Sequence, residues 1–497
     1  MGTRQSLCYT TYVKKKAISK YFLYRHRFVI GFIVLGTAYL VLLFGLPLLS
    51  PNGLSEVEMQ SATASYNLHF DSIFHGDIVN LPYRVLQKLS IMTFGLTTYS
   101  VKLPSIIIGA MLGGLLILLL NRWFKNNVAL LASILAVLSA SFLYLAGSGT
   151  PLIMLVFWPT LLLWLGSKIQ GVTKPKPMYC FVFAFALLAS IFTPHLIYLA
   201  FFIVLFALLH PHLRFTIKTL PIVPLIITIF IIIMGLAALV MAAFINPNII
   251  AELLLVPDFS PSTCIENLKV AFLPFFSWNT AIDSLFLAPF IGLGSFALAV
   301  IGLLSTTKGF FASRNSIASW FIIFTIILSA LNPESAILIL LPMSILIAHG
   351  LRYILSKWYD LFPDNPYARI SAIFPIGLFM GIMITGGISH FIFGYRYTPI
   401  VADKFNNDLQ LILANINPED TIYVLNNPTE YEFLKILNSV NNYQIKDTLP
   451  ERPDDLPKRF VTIEKQAITT PLERIITSPK SNDSDRIYIY TNTAEGA

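Results

Sequence analysis

Residues 51–102 hold the side chains whose types and spacing could do chemistry. In PNGLSEVEMQSATASYNLHFDSIFHGDIVNLPYRVLQKLSIMTFGLTTYSVKLPS, four carboxylates, Glu56, Glu58, Asp71 and Asp77, stand close to His69 and His75. Carboxylates in such a loop can deprotonate a hydroxyl or hold a divalent metal. The cations Arg84, Lys88 and Lys102 can neutralise a phosphate. Both halves of a glycosyl-phosphate reaction are therefore present. Glu56 and Glu58 are two residues apart, so a helix would point them in different directions. The spacing in HFDSIFHGD fixes no tetrahedral ligand set, which leaves the metal undecided. Loop acids of this kind are commonly solvated surface, and Arg84 and Lys88 equally suit anchoring to headgroups. A second loop, 247–285, adds Asp258 and Lys269.

The elements that must position these residues are set by the solvent. Hydrophobic residues make up 56% and charged residues 12% of the 497, with mean hydropathy +0.71. No water-soluble core could hide that balance. Crossing the hydrocarbon takes about 20 apolar residues, and runs at 28–50, 103–121, 128–146, 152–167, 178–193, 195–210, 221–246, 286–304, 317–332, 335–355 and 370–394 predict about eleven transmembrane helices. The stretch 178–210 reads as two helices or as one long one. With the N-terminus cytoplasmic, Lys and Arg gather on the inner side and only Arg84, Lys88, Lys102 and Lys269 fall in outer loops. The acids do the reverse, with Glu56, Glu58, Asp71, Asp77, Glu252, Asp258, Glu266, Asp283 and Glu334 outside. That asymmetry points to chemistry on the extracytoplasmic face of an integral membrane protein, in the plasma membrane of a bacterium-like cell. The net charge of +8 is accounted for by inner loops facing anionic headgroups. No basic stripe interleaved with aromatics is present, which excludes nucleic acid. The basic N-terminus precedes a long apolar run without an A-x-A site and reads as an uncleaved first helix. Cys8, Cys180 and Cys264 fall inside, within and outside the membrane, where no two can pair.

Three segments follow: a basic cytoplasmic N-terminus at 1–27, a transmembrane domain at 28–395 with outer loops 51–102 and 247–285, and a soluble extracytoplasmic α/β domain at 398–497. In the first loop, Val85, Leu86, Leu89 and Met92 repeat at helical spacing beside Arg84 and Lys88, predicting a helix lying in the interface plane. KWYDLFPDNPYAR (357–369) mixes aromatics with charges and reads as lying on the inner leaflet. Beyond residue 398, DTIYVLN and DRIYIYT read as strands, and NPTEYEFLKILNSV as a helix with Thr429 as N-cap. This domain has no glycine-rich phosphate loop and no Cys/His cluster.

The first loop and the helix after it resemble the GT-C superfamily of polyprenyl-phosphate-sugar-dependent glycosyltransferases, the group that contains protein O-mannosyltransferases and lipid A aminoarabinose transferases. That family places an acidic Asp-Glu motif after its first transmembrane helix. Here SEVEMQSA fills the place, with Glu58 at the Glu and Val57 where the Asp stands, so that Glu56 becomes the substitute. LPYRVLQKLSIMTFGLTTYSVKLPSIIIGAMLGGLLILLLNRWF looks like the family's stretch from interfacial helix through second span, with Lys102 at a usual Arg. NPESAILILLPMSILIAHGLRYIL resembles its late helix, with Glu334 and Ser335 where Arg-Tyr often stands. The likeness runs over residues 28–395, strongest in the first third. One departure stands out: between spans three and four, YLAGSGTPLIM lacks the acid expected there.

The resemblance implies an all-α polytopic membrane fold of GT-C type with a small C-terminal α/β domain. It implies transfer of a sugar from a polyprenyl-phosphate donor to a lipid, glycan or protein acceptor on the outer face. Glu58 would act as general base, with Glu56, Asp71 and Asp77 as further catalytic candidates. Arg84, Lys102 and Lys269 would bind the donor phosphate, and His75 and Asp258 are additional candidates. No nucleotide is expected, and a divalent metal is left open. The alternatives are a polytopic transporter and a non-catalytic scaffold of the same fold; the spans' lack of acids and of a visible repeat speaks against the transporter.

Overall fold

The computed structural model describes residues 22–49, 53–69, 77–170, 177–254, 260–276, 289–307, 313–362, 364–371, 373–402, 404–425, 427–450, 456–466, 470–477 and 486–491. Apolar composition makes most of them helix. In chain order these are α1 (Phe22–Leu49), α2 (Glu56–Tyr66), α3 (Leu81–Phe94), α4 (Thr98–Trp123), α5 (Asn126–Val137), α6 (Ala140–Gly147) and α7 (Met154–Gln170). They continue as α8 (Pro177–Ile191), α9 (Ile197–Leu209), α10 (Pro211–Thr219), α11 (Ile222–Ile245), α12 (Asn248–Leu254) and α13 (Pro261–Phe276). The bundle closes with α14 (Leu293–Thr306), α15 (Ser313–Leu331), α16 (Leu340–Leu361) and the helix Ile373–Ser389.

Among the described residues, five helices are long and apolar enough to cross a membrane, or seven if each of two bent pairs is one span; four shorter apolar helices accompany them. Each predicted apolar run contains a helix, but one predicted span is corrected. The run 128–146 is not one straight rod: α5 and α6 meet at a 65° bend at Leu138–Ser139. The stretch 178–210 is two helices, separated where Pro194 cannot continue α8 and His195 adopts φ +67°. Large apolar side chains such as Phe201, Phe230, Phe244 and Ile327 remain exposed on the bundle surface, as a lipid solvent allows. Inside, α14 and α16 touch backbone to backbone. A Cβ on Gly302 would stand 2.0 Å from the Leu346 carbonyl oxygen, and one on Gly350 2.1 Å from that of Leu298.

The C-terminal region folds on a five-stranded sheet, ordered β4 (Gln444–Lys446), β3 (Thr421–Tyr423), β5 (Arg459–Thr462), β7 (Arg486–Thr491) and β6 (Leu472–Thr477). The first three strands are parallel, and β7 runs antiparallel to both its neighbours. The parallel crossover from β3 to β4 carries the helix at Pro428–Leu434, as such connections require. Its N-cap is Asn427, whose side chain accepts from the Glu430 N–H, with Pro428 at the first helical position. Thr429, expected in that role, instead donates to Glu56 Oε1 at 3.3 Å.

That hydrogen bond belongs to a larger union. Leu54–Ser55 (β1) pairs with Phe405–Asn406 (β2), joining the first loop to the start of the C-terminal region. Met59 and Ala62 of α2, Ile91 of α3 and Val101 of α4 share one apolar core with Leu409, Ile422, Phe433, Leu437, Val461 and Ile489. The first loop and the sheet are thus one packed layer on one end of the bundle, called the sheet face below.

Candidate active site

Helix α2 starts with a reciprocal cap. Ser55 Oγ accepts from the Glu58 N–H at 3.3 Å, and Glu58 Oε2 accepts from the Ser55 N–H at 2.9 Å. Glu58 is 1% exposed, and its other oxygen, Oε1, accepts from the Gly149 N–H at 2.6 Å. Lys102, fully buried on the first turns of α4, places Nζ 4.0 Å from Glu58 Oε1 and donates to the Gly53 carbonyl at 2.8 Å. Both glycines are required by close approach. Gly53 has φ +91°, and a Cβ there would lie 2.0 Å from the Asn406 carbonyl oxygen. A Cβ on Gly149 would lie 2.8 Å from Val101 Cγ1 and 3.5 Å from Glu58 Cγ. In the segment between spans three and four that lacks the expected acid, the Gly149 N–H of GSGTP is thus the group that a first-loop carboxylate reaches.

Helix α3 covers this pair with its polar face. Gln87 is fully buried and satisfies all it can: Nε2 donates to the Val101 and Gly149 carbonyls at 3.0 and 2.9 Å, and Oε1 accepts from Ser61 and Ser65. Tyr83, one turn earlier, bonds Ser105 Oγ at 2.8 Å, and Ser105 in turn donates to the Thr150 carbonyl. Burial pushes the Tyr83 hydroxyl well above its ordinary range, which keeps it protonated. The spacing Tyr83, Gln87, Ser90, Ile91 makes one buried stripe, while Val85, Leu86, Leu89 and Met92 form the exposed apolar stripe expected of a helix in the interface plane.

At the other end of α3, Asn80 takes φ +55° and its N–H donates to the Phe192 carbonyl at 2.7 Å. That bond brings the turn of His195 against the first loop. The His195 N–H donates to the Leu253 carbonyl, and Nδ1 lies 2.9 Å from Ser335 Oγ. Desolvation pushes the imidazole down to about 4. His195 Nε2, Thr193 Oγ1 and Asn80 Oδ1 are buried without hydrogen-bond partners among the described residues. Beside them Arg84 pairs with Asp77, the guanidinium 18% and the carboxylate 43% exposed. Lys88 donates to the Leu68 carbonyl.

The residues expected to act together therefore separate into two groups. Glu58 and Lys102 form a buried, hydrogen-bonded pair; neither presents a free face to a substrate, because each already holds the backbone of another segment. Lys102, expected at the donor phosphate, has its ammonium directed to the Gly53 carbonyl and the Glu58 carboxylate. Glu56 points the other way, exposed, toward Thr429 and Gln60. Asp77 and Arg84 are paired and accessible. Lys269 is exposed on α13, whose Asn267 donates to the Ala330 and Leu331 carbonyls just before Ser335. Asp71, His75 and Asp258 lie outside the described residues. Among those described, no three His, Cys, Asp or Glu side chains form a metal cluster, and both Glu58 oxygens accept from backbone N–H donors. Sequence reasoning missed Gln87 and the His195–Ser335 contact. The buried stripe of α3 was a legible signal for the first; only Pro194 hinted at the second.

No family model and no curated protein matches the sequence. Solved structures do match. ArnT from Cupriavidus metallidurans bound to undecaprenyl phosphate aligns with a TM-score of 0.55 at 13% identity, over 94% of this chain and 98% of its own. The chain has the GT-C fold. The apo form of the same ArnT aligns with a TM-score of 0.52 at 12% identity over the same shares. An Archaeoglobus fulgidus oligosaccharyltransferase tethered with an acceptor peptide aligns over 85% of this chain and 64% of its own, with a TM-score of 0.49 at 12% identity. The GT-C fold, with its apolar helices, makes this an integral membrane protein.

Proposed function

We propose that this chain is a membrane glycosyltransferase that moves a sugar from a polyprenyl phosphate to a lipid, glycan or protein acceptor, with the sheet face extracytoplasmic and the N-terminus cytoplasmic. The observation that carries the reading is the alignment over nearly the whole of both chains with a protein solved on undecaprenyl phosphate. The polarity of the layer supports it: acids and cations of the first loop meet on one face of an otherwise apolar bundle.

In this reading Asp77 is the general base. It is the described first-loop acid that is both accessible and paired with a cation, Arg84. It takes the proton of the acceptor hydroxyl as that oxygen attacks the anomeric carbon with inversion. The bond to the phosphate oxygen breaks, and Arg84 with Lys269 neutralises the charge gathering on the departing polyprenyl phosphate. Glu58, Lys102 and Gln87 are positioning residues: they hold the first loop, α4 and the 147–151 turn in one arrangement. The test is sugar transfer in membranes supplied with labelled polyprenyl-phosphate sugars. Asp77→Asn is expected to lower transfer on the order of 10²–10⁴-fold at normal abundance. Transfer at the wild-type rate in Asp77→Asn removes the assignment, and no transfer from any polyprenyl-phosphate sugar by the wild type removes the reading.

A further inference from the structure

Helices α4 and α7 both start at the Glu58 layer, and both end at a cleft. With 26 residues at about 1.5 Å each, α4 carries its Trp123 end roughly 40 Å from the Thr98 end, the depth of a bilayer with its headgroup regions. There a cavity of about 290 Å³ opens between α7, α8, α9, α10 and α15, lined by Leu162, Phe183, Phe202, Phe206, Ile217 and Phe321 among others. Among the described residues, no Asp or Glu lines it.

Its mouth is basic. Arg122 donates to the carbonyl of Ser167, itself a lining residue, at 3.3 Å. Lys168, between lining residues Ser167 and Ile169, stands 5.7 Å over the Trp164 ring. The chain then turns by 91° from α9 into the following helix, as a helix lying at headgroup level would. That helix, α10, puts Leu213 and Ile217 into the cleft and carries Arg214 and Lys218, both exposed and four residues apart on one face. Thr228 also lines the cleft, and its Oγ1 is buried with no hydrogen-bond partner among the described residues.

We propose that this cleft binds one acyl chain of an anionic phospholipid from the leaflet opposite the sheet face, with the lipid phosphate among Arg122, Lys168, Arg214 and Lys218. A slot of this volume takes about ten groups of water size, which suits much of one acyl chain and no soluble polar ligand. The four cations select a negative headgroup. Thr228 Oγ1 supplies the donor that an ester carbonyl would accept. The phosphate belongs at this face because the cations do; the donor chemistry proposed above lies across the membrane, and the lipid site stands without it.

The test is native mass spectrometry of the full chain in detergent, titrated separately with phosphatidylglycerol, phosphatidylcholine and undecaprenyl phosphate. Phosphatidylglycerol is expected to bind at least ten-fold more tightly than phosphatidylcholine. Arg214→Gln/Lys218→Gln, changing two exposed residues, should bring the two lipids within about three-fold, since each cation near a headgroup is worth roughly five-fold. Ala207→Trp, filling the cleft, should abolish the retained phospholipid. Equal retention of the two phospholipids by the wild type, displacement of phosphatidylglycerol by undecaprenyl phosphate, or wild-type retention in Ala207→Trp would each overturn the proposal.

Discussion

Glu58→Gln separates a structural carboxylate from a catalytic one. The substitution keeps the shape and removes the charge. Glu58 Oε1 faces the Gly149 N–H at 2.6 Å and Oε2 the Ser55 N–H at 2.9 Å. Whichever end of the new amide carries the nitrogen therefore sets a donor against a donor. Lys102, 0% exposed, loses the carboxylate 4.0 Å away while keeping the Gly53 carbonyl. Breaking one side of a buried pair costs about 3–5 kcal/mol, because the other charge stays buried. At about 2–4 °C per kcal/mol for mid-sized domains, the purified protein in detergent should lose on the order of 6–20 °C in Tm. Adding Lys102→Met removes the orphaned charge and should restore about half or more of the loss, so that the two substitutions are strongly non-additive in the double-mutant cycle. Thermal unfolding of the four proteins, followed by intrinsic fluorescence, reads both quantities. If Glu58→Gln unfolds at the wild-type temperature yet transfers no sugar, the buried-pair reasoning is refuted and Glu58 is the base after all.

Three further outcomes are expected. Gly149→Ala forces a Cβ to within 2.8 Å of Val101 Cγ1 and should cost about 1–3 kcal/mol, visible as a lower Tm with no change at Asp77. His195 is held neutral, at about 4 against 6.5 unfolded. Between those values the unfolded chain binds more protons, so stability should fall by about 1.4 kcal/mol per pH unit as pH drops from 6.5 to 4; His195→Gln should flatten that slope in Tm measured against pH. Asn427→Ala removes the cap of the Pro428–Leu434 helix and should cost about 1 kcal/mol, measured by amide hydrogen exchange in that segment, whereas Thr429→Ala should cost less.

Several features were legible in the residues themselves because they depend on local periodicity. The apolar runs specify helices wherever the solvent is lipid, the exposed stripe of Val85, Leu86, Leu89 and Met92 follows from helical spacing alone, and TIY and RIYIYT alternate as strands do. Proximity in sequence also made Glu56 and Glu58 candidates together, and helical geometry already pointed them apart. What the sequence could not convey was which backbone a side chain would meet. Glu58 became a clamp because Gly149, 91 residues away, presents an N–H to it, and Gly149 can do so only because it lacks a Cβ. Lys102 is turned inward because the Gly53 carbonyl, not solvent, accepts its hydrogen bond. The sheet region ceased to be a separate appendage once Leu54 paired with Asn406 and Met59 entered its core. His195 gained its role from Ser335 and Leu253 on distant helices. Helix type and polarity are set by neighbours along the chain, so composition determined the membrane fold. Burial and hydrogen-bond partnership are set by neighbours across it, so only the tertiary structure decided which charges serve the architecture and which remain accessible for chemistry.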